Sequence, residues 1–167
     1  VYVTHDQVEA MTMGDRVAVL RDGVLQQCAT PQVLYRHPQN VFVAGFMGSP
    51  AMNLFTLPIT DRSVTIGGWR LPVPRTVADA AGADRVTVGI RPEHFEIGEG
   101  GFEIEVAVVE ELGADAFLYG HALGYDEAGE VVARADWRNP PAKGSTVRLT
   151  ADPEHVHFFA ADGRRIS

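Results

Sequence analysis

The chain is 167 residues long, 46% hydrophobic and 22% charged, with a formal charge of −8. That length accommodates one ordinary domain, or a small domain with a further segment attached, and no apolar stretch reaches the roughly 18 residues a membrane-spanning helix needs. The excess of carboxylates, with four acidic and three basic side chains in residues 1–48 but eighteen and eleven in residues 49–167, argues against sequence-independent nucleic-acid binding, which relies on clustered Lys and Arg.

Val1 to Thr4 are β-branched and aromatic and read as the end of a buried strand. From Asp6 onward Val8, Met11 and Met13 fit a helix, with Asp6 as its N-cap. His5 lies at this junction, and a ring so placed is expected beside helix N–H groups that stabilise phosphate oxygens. Residues 15–28 predict a hairpin, DRVAVL and VLQQC about a turn at Arg21-Asp22-Gly23. Its single cysteine, Cys28, excludes an internal disulfide and is read as a buried small hydrophobe rather than a nucleophile. Thr30 and Pro31 then open a helix that Pro38 ends, and Asn40 caps a second short helix over residues 41–47, broken by Gly48-Ser49-Pro50. Strand, turn, strand and two short helices fit the tail of an α/β nucleotide-binding domain, with a boundary near Gly48 to Pro50.

Beyond Ala51 short β-rich runs recur between Gly and Pro punctuation: MNLFTLPI, SVTIGG, WRLPVP, RVTVGIRP, FEIEVAVVEEL, AFLYGHAL, VVARADW, TVRLTA and HVHFF. Phe102, Ile104 and Val106 alternate with Glu103 and Glu105, the period of a half-buried strand. A small, all-β, antiparallel domain of barrel character follows, resembling the oligonucleotide/oligosaccharide-binding (OB) type. VADAAGA (residues 77–83) is read as a short turn at most.

Several candidate sites are read blandly. His155 and His157 are expected on one strand face, where with Asp152 and Glu154 a metal is conceivable, but no third histidine or cysteine lies nearby in sequence and no metal is assigned. Arg91 to His94 are expected to shape a strand exit, with Arg91 and Glu93 as an ion pair. Trp69 and Trp137 are read as core or interface rather than sugar-stacking residues. Glu103, Glu105, Glu110 and Glu111 are read as the solvated face of a strand rather than an acid/base pair. The only lysine, Lys143, has no flanking G-x-x-x-x-G, and no LSGGQ-like stretch occurs. On these residues the chain carries neither a P-loop nor a signature stretch and is not expected to hydrolyse ATP alone.

Four separated strings, VYVTHDQVEAMTMGDRVAVLRDG (1–23), GFMGSPAMNLF (45–55), VGIRPEHF (88–95) and ADPEHVHFF (151–159), resemble the C-terminal part of the ATP-binding subunits of ABC importers of the maltose, multiple-sugar and glycerol-3-phosphate type. The resemblance implies a mainly β chain: residues 1–48 as the α/β tail of a P-loop ATPase domain and residues 49–167 as a regulatory OB-like (TOBE) domain. It implies that His5 is catalytic and binds cofactor, donating a hydrogen bond to the γ-phosphate of ATP and helping to hold the attacking water. ATP and Mg²⁺ are the implied cofactors of the intact subunit, with none expected on this piece. The implied partners are a second ATPase subunit, permease subunits and a regulatory protein on the β domain, but no nucleic acid, at the cytoplasmic face of the membrane. An opening at Val1, inside an expected strand, predicts a longer parent whose P-loop lies roughly 150 residues upstream. The rival reading is a free-standing OB-like module for a small oxyanion or sugar, without an ATPase role.

Overall fold

The computed structural model describes residues 1–166 and opens on an exposed segment rather than a strand: residues 1–4 pair with no other strand among the described residues, and Val1, Tyr2 and Val3 face solvent. A β-prone sequence forms a strand only where a neighbour completes its ladder, and none is present here. Asp6 accepts hydrogen bonds from the Val8 and Glu9 amides and so starts α1 (Gln7–Met13). The expected hairpin follows as β1 (Val17–Arg21) and β2 (Val24–Ala29), closed by Asp22 at φ 50° and Gly23 at φ 77°. Two consecutive positive φ angles define the turn whose twist matches the strands.

Thr30 caps α2 (Pro31–Arg36) and Asn40 caps α3 (Val41–Phe46), each through a side-chain oxygen on the amide three residues on. The buried Gln27 binds these pieces together: its amide nitrogen donates to the His37 carbonyl at 3.0 Å, and its oxygen accepts from the Gln39 amide at 2.9 Å. Val19, Leu34, Val43 and Met47 form a small apolar core between the hairpin and the two helices.

The remaining chain is antiparallel throughout. β3 (Asn53–Pro58), the hairpin β4 (Ser63–Ile66) and β5 (Trp69–Pro72), α4 (Arg75–Ala80) and β6 (Arg85–Ile90) come first. Then follow β7 (Phe95–Gly98), β8 (Phe102–Glu111), β9 (Ala116–Ala122), β10 (Glu130–Ala135), β11 (Thr146–Ala151) and β12 (His157–Phe159). One sheet runs β10-β9-β8-β11-β7, a second β12-β6-β3, and β4 pairs only with β5. Their inner faces meet in one large core that includes Phe55, Leu57, Val88, Ile90, Phe102, Ile104, Leu149 and Phe158. The chain is therefore mainly β, as its alternation predicts. α4 corrects the expectation of a mere turn: Val77 is buried and Ala78 packs against the main core while Arg75, Thr76, Asp79 and Ala80 face outward, so an apolar anchor fixes a turn and a half of helix. β7, which no sequence reading singled out, pairs with β11 through Phe95 to Gly98.

The two larger sheets are joined edge to edge by a side chain. Asn53, on β3, donates from its amide nitrogen to the Ile90 and Val132 carbonyls at 3.0 and 2.9 Å, and its oxygen accepts from the Val132 amide at 2.8 Å. The carboxamide thus imitates one rung of a β-ladder between β3 and β10. Replacing Asn53 by Ala leaves those backbone groups without partners and is expected to lower stability by about 1–3 kcal/mol, read as a shift in urea midpoint at constant slope.

Candidate functional site

The segment ahead of α1 is pinned by its own side chains. Thr4 Oγ1 donates to the Glu9 carboxylate at 2.7 Å and accepts from the Asp6 amide at 2.9 Å. His5 lies on the bend between those two anchored residues, with its ring in solvent. The structure thus leaves the imidazole free to meet a ligand, but it corrects one expectation. The first free amides of α1, those of Val8 and Glu9, are already taken by Asp6, so the helix offers no open N–H pair beside His5. Against the phosphates of a nucleotide, the fit is one exposed ring donor and nothing more from this segment.

Gln7 reaches away from the ring. Its side-chain oxygen accepts a 2.7 Å hydrogen bond from the Gly48 amide, at a corner where α3 hands the chain to the β part. Arg91, 1% exposed, occupies the same corner. Its guanidinium donates to the Met47 carbonyl and, at 2.7 Å, to the Tyr35 carbonyl, and lies 3.8 Å from the centre of the Tyr35 ring. Glu93 accepts from the Tyr35 hydroxyl rather than pairing with Arg91. The expected Arg91–Glu93 ion pair is replaced by a relay, guanidinium on ring and phenol on carboxylate. Burial and that carboxylate push the Tyr35 phenol up to about 12, while burial draws Arg91 down despite Tyr35 and Glu93 nearby. Gly48 has φ 114°, and a Cβ there would come 2.8 Å from Arg91 Nη1 and 3.1 Å from the Tyr35 ring. Only glycine lets the backbone turn that closely past the guanidinium.

The histidines also differ from expectation. His155 ends a 3₁₀ turn, Pro153–His155, so it and His157 do not share a strand. Its ring stacks instead on His94 at 4.3 Å between centres. Nδ1 of His94 and of His157 are buried without a hydrogen-bond partner among the described residues. Burial lowers both, His157 to about 4, with Arg165, Arg91, His94 and His37 adding to the effect. Among the described residues no group of three or more His, Cys, Asp or Glu is placed to hold a metal.

Other readings resolve individually. Trp69 packs on Phe102 at the edge of the main core, whereas Trp137 is about 45% exposed beneath Arg138. Glu103 pairs with Arg148 at 2.8 Å and Glu110 accepts from Tyr119 at 2.9 Å, both on exposed sheet surface. Cys28 is exposed, not buried: it falls on the outward side of β2 next to buried Gln27. Arg91, Tyr35 and Gly48 were missed as a unit because they are 43 and 56 residues apart; only the strings around Gly48 and Arg91 signalled them.

Two family models match: the MalK OB fold domain over residues 48–95 and the TOBE domain over residues 88–159. The chain is 47% identical to the diacetylchitobiose uptake system ATP-binding protein MsiK of Streptomyces coelicolor, covering 100% of this chain and 50% of that protein. It is 45% identical to the sn-glycerol-3-phosphate import ATP-binding protein UgpC of Paracoccus denitrificans, covering 99% and 46%. With the trehalose import ATP-binding protein SugC of Mycobacterium tuberculosis the identity is 39%, covering 97% and 49%. The chain thus spans about half the length of the curated relatives it matches.

Two outcomes follow from this corner. Gly48→Ala is expected to cost about 2–4 kcal/mol, from positive φ plus steric overlap. Gly23→Ala, whose new Cβ meets nothing within 4 Å, should cost only about 1–2 kcal/mol, and chemical denaturation of the pair compares them. For His157, whose folded value of about 4 lies below the ordinary 6.5, the unfolded chain takes up a proton first as pH falls. Its contribution is therefore full above pH 6.5 and is lost down to about 4. Urea midpoints measured across that window should fall less steeply in His157→Gln than in the parent.

Proposed function

This chain belongs to the family of ATP-binding subunits of sugar and glycerol-3-phosphate importers, and from that premise we propose that it supplies the switch histidine and the regulatory β domain of such a subunit. Residues 1–48 are then the end of the nucleotide-binding domain and residues 49–167 the regulatory, dimerising part. The intact subunit couples ATP hydrolysis to the import of a carbohydrate or related solute. It acts as a pair with permease subunits on the cytoplasmic face of the membrane, and its β domain is open to a regulatory protein. No helix among the described residues is long and apolar enough to cross a membrane.

ATP, when bound, supplies the phosphoryl group whose transfer to water drives the cycle. Most of the nucleotide and its Mg²⁺ would be held by other parts of the subunit. This chain's own task is narrower. His5 holds a donor proton toward the terminal phosphate, where charge accumulates as the bond to the leaving group loosens. Thr4 and Asp6 fix the backbone on either side of the ring. Gln7 ties the same segment to Gly48, one residue from the carbonyl that Arg91 holds.

The observation that carries the reading is the exposed His5 ring on a backbone anchored at both neighbours. A charge-assisted hydrogen bond contributes about 1.5–3 kcal/mol, and that is roughly one to two orders of magnitude in rate. His5→Ala in the intact subunit should therefore leave ATP affinity nearly unaltered while turnover falls about tenfold or more. Because the ring is exposed, the variant should fold as the parent does. Unchanged steady-state turnover removes His5 from the catalytic machinery.

A further inference from the structure

Glu9 stands in the first turn of α1, beyond His5 in the chain, yet its carboxylate is engaged with residues that precede the ring. One oxygen, Oε2, accepts from Thr4 Oγ1 at 2.7 Å and from the Tyr2 hydroxyl at 3.3 Å. Among the described residues Glu9 forms no ion pair. Resting on the reading of His5 as hydrogen-bond donor to the terminal phosphate, we infer that Glu9 is a positioning residue for that ring. It holds the chain ahead of the imidazole against α1 and so fixes where the ring is presented.

Helix capping by itself does not call for this arrangement. Asp6 is the N-cap and Glu9 the third helical residue, the spacing at which a carboxylate ordinarily accepts directly from the N-cap amide. Here a hydroxyl is interposed. The Asp6 amide donates to Thr4 Oγ1 at 2.9 Å, and that hydroxyl in turn donates to Glu9. A threonine hydroxyl has one hydrogen to give, so the carboxylate sets its rotor and leaves a lone pair for the amide. Direct capping would secure Asp6 alone. The interposed threonine secures the residue on the other side of the ring as well, and His5 sits inside the loop of bonds so formed.

The helix that carries Glu9 is itself held to the rest of the fold. α1 buries no residue fully, but Met11 packs against the small core of Val19, Leu34, Val43 and Met47. Gln7 accepts from the Gly48 amide at 2.7 Å. Gln7 and Met11 are four residues apart and share a helix face, whereas Glu9, two residues from each, falls on the opposite one. One face anchors α1 and the other grips the histidine segment, while the imidazole stays exposed. A donor held in place before the reaction needs no ordering during it, and displacement by about 1 Å is enough for a large loss in rate.

The test is steady-state ATP turnover by the intact subunit carrying Glu9→Ala, Glu9→Gln, Thr4→Val or His5→Ala, and Glu9→Ala combined with His5→Ala. Glu9→Ala and Thr4→Val are each expected to lower kcat about three- to tenfold with KM for ATP nearly unchanged. Glu9→Gln keeps an acceptor oxygen for the Thr4 hydroxyl and should recover most of that loss; an effect of the charge on the helix dipole would not be recovered. Added to His5→Ala, Glu9→Ala should change turnover by less than about twofold, because no ring remains to be positioned. Thr4→Val lies outside the helix and gives the same readout if Glu9→Ala does not fold. Three results overturn the role of Glu9 while leaving His5 in place: parental kcat in both Glu9→Ala and Thr4→Val, glutamine no better than alanine, or an undiminished further loss in the His5→Ala background. Parental turnover in His5→Ala removes the reading of His5 itself, and the positioning role with it.

Discussion

A single guanidinium buried without a carboxylate directly upon it governs how this chain holds together. Burying the Arg91 charge is costly unless every direction around it is polar or polarisable. The chain meets that demand with parts from three places: the carbonyls of Met47 and Tyr35, the face of the Tyr35 ring, and Glu93 acting through the phenol. Those groups come from the end of α3, from α2 and from the turn after β6. Arg91 therefore fixes the helices against the sheet by orientation as well as by apolar contact, and Gly48 is the backbone condition that lets it approach.

The same logic recurs where the sheets meet. An apolar core drives the β part together but does not specify which edge faces which, since apolar contact has no direction. Asn53 adds that direction by standing in for a ladder rung, and Gln27 does the equivalent between β2 and the α2–α3 connection. A third seam is made by the C-terminal segment. The Val41 amide donates to Gly163, the Arg165 amide to Gln39, and Ala44, Met52 and Phe159 pack in a small apolar cluster between α3 and the second sheet. The helical and β parts are thus fastened at two separate places, near Arg91 and near Arg165.

That fastening gives the His5 segment its wider meaning. Gln7 reaches the Gly48 corner, and Gly48 adjoins the carbonyl held by Arg91. The His5 segment and the β part then share a chain of contacts through Gln7, Gly48 and Arg91. His157, beside Arg165, Arg91, His94 and His37, and His94, beside Arg91 and His155, are both drawn down by burial in the same region.

Local sequence settled most of the elements. The Asp22-Gly23 turn, the Thr30-Pro31 and Asn40 helix starts and the alternation through Phe102, Ile104 and Val106 are effects of neighbours within a few residues, and they appear in the fold as written. What failed was equally local: residues 1–4 have strand propensity but no neighbour to complete a ladder, and α4 is fixed by one buried valine that composition does not reveal. The expectation for His5 rests on its flanking string, and the structure adds the exposure of its ring and the capture of the α1 amides by Asp6. The Arg91 corner, the Asn53 rung and the stacked His94–His155 pair join residues far apart in the chain. Burial and hydrogen-bond partners are properties of three-dimensional neighbours, so no reading along one dimension could assign them; only the packed structure decided which polar groups were enclosed and what each one found there.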